Sequence, residues 1–105
     1  MAYKLRFVQK FTETGRTEFL ELEKQFAKLE DRHSEFPKGK RYVVLTGRDS
    51  TNTFIWESES EYATLAEVEG VLHFLHQDPR HEELFREQSR YFLDSYVEIY
   101  ETFPA

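Results

Sequence analysis

Apolar residues recur along this chain with two different periods, and each switch of period marks the end of one element and the start of the next. Tyr3–Thr12 alternates, with Tyr3, Leu5, Phe7, Gln9 and Phe11 on one side and Lys4, Arg6, Val8 and Lys10 on the other. That period of two predicts a strand. Thr14-Gly15 interrupts it. Phe19, Leu22, Phe26 and Leu29 then recur at helical spacing and predict a helix from about Arg16 to His33. Phe36-Pro37-Lys38-Gly39 ends that helix, because proline restrains the residue before it and glycine frees the turn. Arg41–Arg48 reads as a second strand, with Val43 and Leu45 opposite Tyr42, Val44 and Thr46. Asp49-Ser50-Thr51-Asn52 has turn composition, so a hairpin into a third strand, Thr53–Ser58, is expected.

The third strand runs through a charged turn into a second helix. Thr64-x-x-Glu67 is a capping-box pattern at its start, and Leu65, Val68, Leu72 and Leu75 are its core positions. Asp78-Pro79 closes this helix and opens another, since Asp caps helix starts and Pro is favoured at the first helical position. Leu84, Phe85 and Phe92 give the third helix an inner side, and Tyr96–Phe103 alternates again as a last strand. The order β-α-β-β-α-α-β is a split βαβ pattern with its second helix broken in two. It predicts an α+β, ferredoxin-like domain over residues 1–105, with a four-stranded antiparallel sheet and the helices on one face.

The alternations sort the strand residues between two faces. Leu5, Phe7, Val43, Leu45, Phe54, Trp56, Val97 and Ile99 form an apolar set suited to the helices. The opposite face carries Arg6, Tyr42, Thr46, Arg48, Glu57, Tyr96, Glu98 and Tyr100, together with the apolar Val8, Val44 and Ile55. A sheet face left in water is normally mostly polar, so this mixed face is expected to be covered. The simplest cover is the same face of a second copy about a two-fold axis, which predicts a homodimer.

Composition acts mainly by exclusion. A net charge of −6 with 14 scattered Lys and Arg argues against nucleic acid, whose binding depends on neutralising phosphates. No apolar run approaches the ~20 residues of a membrane span, and MAYKLRFVQK alternates where a signal peptide would have an unbroken apolar core. A soluble, cytoplasmic protein is expected. The absence of cysteine excludes disulfides, thiolate nucleophiles and Cys-based metal sites. Ten Phe and six Tyr in so short a chain again point to apolar area covered by another subunit.

Arg6, Glu57 and Glu98 share the mixed face, and two acids flanking an arginine can orient a polar ligand or form an ion-pair network at a dimer seam. Arg48 extends the same line, and Tyr42 and Tyr100 lie on the same face as candidate ligand contacts. Trp56, Tyr91, Tyr96 and Tyr100 are candidates to line a pocket for a flat molecule, or to pack as core and interface. His73, His76 and His81 invite a metal reading, but the break at Pro79 turns the chain before His81, so surface or groove positions are expected and no metal site is. Ser58, Ser60 and Thr64 lack a histidine–acid arrangement and read as caps. No Gly-rich nucleotide loop is present, and no cofactor is expected.

The order of elements, and FIWESESEYATLAEVEGVLHFLHQDPRHEELFREQSRYF following a hairpin, resembles the dimeric α/β-barrel superfamily, within it the NIPSNAP-like and antibiotic-biosynthesis-monooxygenase-like branches. The resemblance spans nearly the whole chain and rests on the W-E-S-E-x-E-Y strand-to-helix turn, the D-P-x-H helix break and the strand-forming tail. It implies a ferredoxin-like protomer, an intersubunit barrel, and a ligand cavity between sheet and helices or inside the barrel. The functions it implies range over cofactor-free oxygenation, haem degradation, lactone isomerisation and proteins with no assigned activity, and the readings for this chain are a dimer that binds a small organic molecule, a cofactor-free monooxygenase or isomerase on an aromatic or polyketide-like substrate, or a structural association module. No signature selects one of these reactions.

Overall fold

The computed structural model of the protein describes residues 2–47 and 51–103. Its elements run β1 (Tyr3–Phe11), α1 (Arg16–Arg32), β2 (Gly39–Val43), β3 (Thr53–Ser58), α2 (Leu65–Gln77), α3 (Pro79–Gln88) and β4 (Phe92–Glu101), with a 3₁₀ turn at Ser89–Tyr91 before the last strand. The sheet order is β2-β3-β1-β4 and every neighbouring pair is antiparallel. This is the α+β, ferredoxin-like arrangement that the alternation of periods predicts. No helix among the described residues is long and apolar enough to cross a membrane.

The core forms where the odd-numbered side of β1 and the even-numbered side of β3 meet the stripes of α1 and α2. Leu5, Phe11, Phe19, Phe54, Trp56 and Val68 are buried together there. Phe19 organises the aromatic part: it stacks on Phe11 at 4.6 Å and meets Phe54 edge-on at 5.7 Å, geometries that suit ring quadrupoles.

Local chemistry fixes the helix ends. The Thr64 hydroxyl accepts from the Glu67 N–H, while the Glu67 carboxylate accepts from the N–H of Ala63, one residue earlier than the usual reciprocal bond. Asp78 accepts from the N–H groups of Arg80 and His81, with Pro79 at the first helical position. Arg80 then pairs with Asp78 and with Glu35, both at 2.9 Å, tying the start of α3 to the segment after α1. Ser58 is buried, and its hydroxyl accepts from the Leu5 N–H and donates to the Ser60 carbonyl. Its role is to satisfy backbone at the end of a strand.

Several expectations need correction. The second strand stops at Val43, because its partner β3 begins only at Thr53, opposite Val44. Leu45 is therefore outside the sheet and 90% exposed, and Arg48, Asp49 and Ser50 of the expected strand and turn lie outside the described residues. Phe92 belongs to β4, which starts four residues earlier than Tyr96 because the long central β1 pairs with it as far as Phe11↔Phe92. Val97 and Ile99 do share the side of Phe7 and Leu5, but they are 45% and 43% exposed, since β4 is an edge that the helices leave uncovered. Val43, on the other edge, is 38% exposed. Leu65 is exposed at the first position after its cap, whereas Val68 and Leu75 are buried as expected.

Candidate functional site

The helices do not close fully onto the sheet. Between α1, α3 and the helix-facing side of the strands lies a cavity of about 380 Å³. Phe7, Phe26, Phe36, Trp56 and Phe85 give it aromatic walls, and the exposed Ser95–Val97 segment of β4 marks its mouth. The lining thus joins apolar rings to a set of charged and polar side chains, and a concave site with convergent polar groups suits a small molecule.

The polar groups come from three elements. On α1 the spacing that places Phe19 and Phe26 inward also places Glu23 and Glu30 inward, one position after Leu22 and Leu29. On β2, Arg41 is opposite Trp56 and so points to the helices. Arg41 Nε donates to Glu23 Oε2 at 2.9 Å, while its two terminal nitrogens grip both oxygens of Glu30 at 3.0 and 2.9 Å. Glu30 also accepts from Trp56 Nε1 at 2.8 Å and from the Gly39 N–H at 3.3 Å. The Trp56 ring lies so close over Gly39 that a Cβ built there would stand 2.0 Å from Cε2. Glycine is therefore required at that crossing of β2 and β3.

Burial pushes the Glu23 carboxyl above its ordinary range, and the charge and hydrogen bond of Arg41 only partly offset it. Burial works against the Arg41 charge as well, yet the hydrogen bonds and fields of Glu30 and Glu23 outweigh it and the guanidinium pKa is raised. From α3, the fully buried Gln88 spends Nε2 on the Phe19 carbonyl and on Glu23 Oε1, while its Oε1 has no hydrogen-bond partner. His81 packs on Phe26 at 5.1 Å and parallel to Phe85 at 6.3 Å. Burial lowers its pKa, with Glu82 and Asp78 pulling the other way, and its buried Nδ1 has no hydrogen-bond partner. Of the three histidines considered for metal, His76 borders the cavity from an exposed position on α2, and His73 is exposed and not part of the lining. Among the described residues no three His, Asp or Glu side chains converge as a metal site.

The residues singled out from sequence lie on the opposite face of the sheet. Cross-strand pairing aligns Lys40, Glu57, Arg6 and Glu98 in one row across all four strands. Arg6 donates to Glu57 at 2.8 Å and its guanidinium lies 4.8 Å over the Tyr100 ring, whose hydroxyl donates to Glu98 at 2.6 Å. The hydrogen bond from Arg6 lowers the Glu57 pKa, and burial together with the bond to Glu98 raises that of Tyr100. Arg6, Glu57, Glu98 and Tyr100 are thus brought together. Tyr42 is in the next row, Tyr42-Ile55-Val8-Tyr96, and is 47% exposed; Arg48 lies outside the described residues.

Sequence reasoning missed Glu23, Glu30, Arg41 and Gln88. A signal was present for three of them: Leu-Glu recurs seven residues apart at 22–23 and 29–30, and Arg41 has the parity of Val43.

No family model matches the chain, and no curated protein matches it. Solved structures do. A NIPSNAP family protein from Agrobacterium tumefaciens strain C58 superposes with a TM-score of 0.77 at 14% identity, over 97% of this chain and 86% of that one. An uncharacterised NIPSNAP domain protein from Burkholderia xenovorans gives 0.71 at 16% identity, over 100% and 95%. An antibiotic biosynthesis monooxygenase gives 0.71 at 10% identity, over 97% and 99%.

Proposed function

We propose, on the premise of the fold shared with NIPSNAP and antibiotic-biosynthesis-monooxygenase structures, that this chain binds a small organic molecule in the cavity between its helices and its sheet. The observation that carries the reading is the cavity itself, walled in part by aromatic rings and bordered by the Arg41, Glu23, Glu30, Gln88 and His81 groups. The same reading has the protein as a homodimer through the opposite face. Support for that comes from the row Lys40, Glu57, Arg6, Glu98, whose signs alternate and whose length is even. A two-fold axis along the strands sets Lys40 against the partner's Glu98 and Glu57 against the partner's Arg6, while Tyr42, Ile55 and Tyr96 of the adjacent row supply apolar area, Val8 in that row being already buried within the protomer. In this arrangement Arg6, Glu57, Glu98 and Tyr100, with Tyr42, form the seam network, since Arg6 is already engaged by Glu57 and Tyr100.

Native mass spectrometry of freshly purified protein tests both parts, as it reports the dimer mass and any retained ligand. Val97→Trp provides the control. Val97 lines the cavity mouth while being 45% exposed, so a larger ring there obstructs entry without removing a core contact. We expect this variant to lose ligand-induced thermal stabilisation and to keep its own stability within about 1 kcal/mol. Unaltered ligand response in Val97→Trp would rule the cavity out.

A further inference from the structure

We infer that the occupant of this cavity is an organic cation, an ammonium group carried on an apolar or aromatic body. The inference rests on the cavity being a binding site and adds the charge of what it takes.

The first argument is charge. Glu23, Glu30 and Glu82 border the cavity against one guanidinium, Arg41. That guanidinium is already committed: three of its N–H groups are spent on Glu23 and Glu30, with two of them forming a fork on Glu30. Glu82 has no guanidinium or ammonium beside it among the contacts of the described residues; its neighbours are His76 at 3.6 Å and His81 at 3.8 Å, which offset its charge only when protonated. An anionic ligand would meet three carboxylates and a cation with little left to offer, whereas an ammonium would meet uncompensated negative charge.

The second argument is independent of charge and concerns donors and acceptors. Gln88 is fully buried, lines the cavity and leaves Oε1 without a donor. A buried acceptor left unpaired is costly, so it calls for a donor from outside the chain. His81 also borders the cavity, with a buried Nδ1 that has no hydrogen-bond partner. The Gln88 oxygen can only accept, and an ammonium brings up to three donors and no acceptor.

The third argument is the wall. Phe7, Phe26, Phe36, Trp56 and Phe85 present ring surface, and a cation over such faces is attracted by their quadrupoles. Aromatic wall and carboxylate rim favour the same ligand.

The test uses one skeleton with three head groups: 3-phenylpropylammonium, 3-phenylpropanol and 3-phenylpropanoate, titrated by calorimetry into the full chain at fixed ionic strength. We expect the ammonium to bind about tenfold or more tightly than the alcohol, and the carboxylate to bind most weakly. Glu82→Gln removes one rim charge from a partly exposed position and is expected to weaken the ammonium by about threefold to tenfold while leaving the alcohol unchanged. Glu30→Gln is the second variant, with the larger effect, and its own thermal melt shows whether it remains folded. If the alcohol or the carboxylate binds as tightly as the ammonium, the charge assignment is overturned and the cavity reading stands. If none of the three binds at millimolar concentration and Val97→Trp retains whatever the wild type carries, both are overturned.

Discussion

Replacing Arg41 by Met keeps much of the side chain's length and apolar stem and removes only the charged fork. Two carboxylates then lose their cation inside the molecule: Glu23 and Glu30 side chains are 10% and 14% exposed, and each approaches Arg41 at 2.9 Å. Removing one partner of a buried ion pair costs about 3–5 kcal/mol, because the other charge stays behind unpaired. Here residual bonds remain, from Gln88 to Glu23 and from Trp56 to Glu30, so the lower end, about 3 kcal/mol, is expected at pH 8. The pH dependence follows from Glu23. Its folded pKa already lies above the ordinary value, so between those two pH values the native state holds more protons than the unfolded one, and stability falls as pH rises through that window. Without Arg41 the folded pKa rises further and the window extends upward. The deficit of Arg41→Met relative to wild type should therefore be small near pH 5 and largest at pH 8. Urea melts of both proteins at the two pH values measure it, and adding Glu23→Gln should restore part of the loss at pH 8 only. A deficit of equal size at both pH values, or one below about 1 kcal/mol at pH 8, refutes the account.

Two further outcomes can be checked directly. Gly39→Ala places a Cβ within 2.5 Å of three Trp56 ring atoms, so the ring must move off Glu30; we expect a loss of at least about 2 kcal/mol and a red-shifted emission, read from the single tryptophan of the chain. Ile55→Lys puts an unpaired charge in the apolar row of the mixed face and should shift the native mass of the proposed homodimer toward monomer at low micromolar concentration; a mass equal to that of the wild type would refute the proposed interface.

The architecture was readable because the two hydrophobic periods are clean and their boundaries carry chemistry: Thr64 and Asp78 cap the helices they were expected to cap. The mixed face was readable for the same reason, as strand parity alone aligns Arg6 with Glu57 and Glu98. The cavity was not, because it depends on charged residues lying in stripes identified by their apolar members. Glu23 and Glu30 sit beside Leu22 and Leu29 and look like a solvated flank until Arg41 arrives from a strand 18 and 11 residues further along. Coverage was not readable either. Parity gives the side of Val97 and Ile99, but only the placement of the helices leaves them 45% and 43% exposed.

The Asp78-Pro79 junction has a meaning beyond ending one helix and starting another. Continued without a break, residues 65–88 would make a rod about 36 Å long, comparable to the ~33 Å of a ten-residue strand, able to lie flat on the sheet and fill the space beneath it. The break lets α3 turn, and the angle is held from outside by Arg80 gripping Asp78 and Glu35. These ion pairs, with the Arg80 guanidinium over the cavity-lining Phe36 ring, tie the start of α3 to the segment after α1 at the border of the cavity, apart from the Phe11, Phe19 and Phe54 rings that hold the fold. Substitutions at Arg80 or Glu35 are therefore expected to change the cavity's volume while every side chain that lines it stays the same.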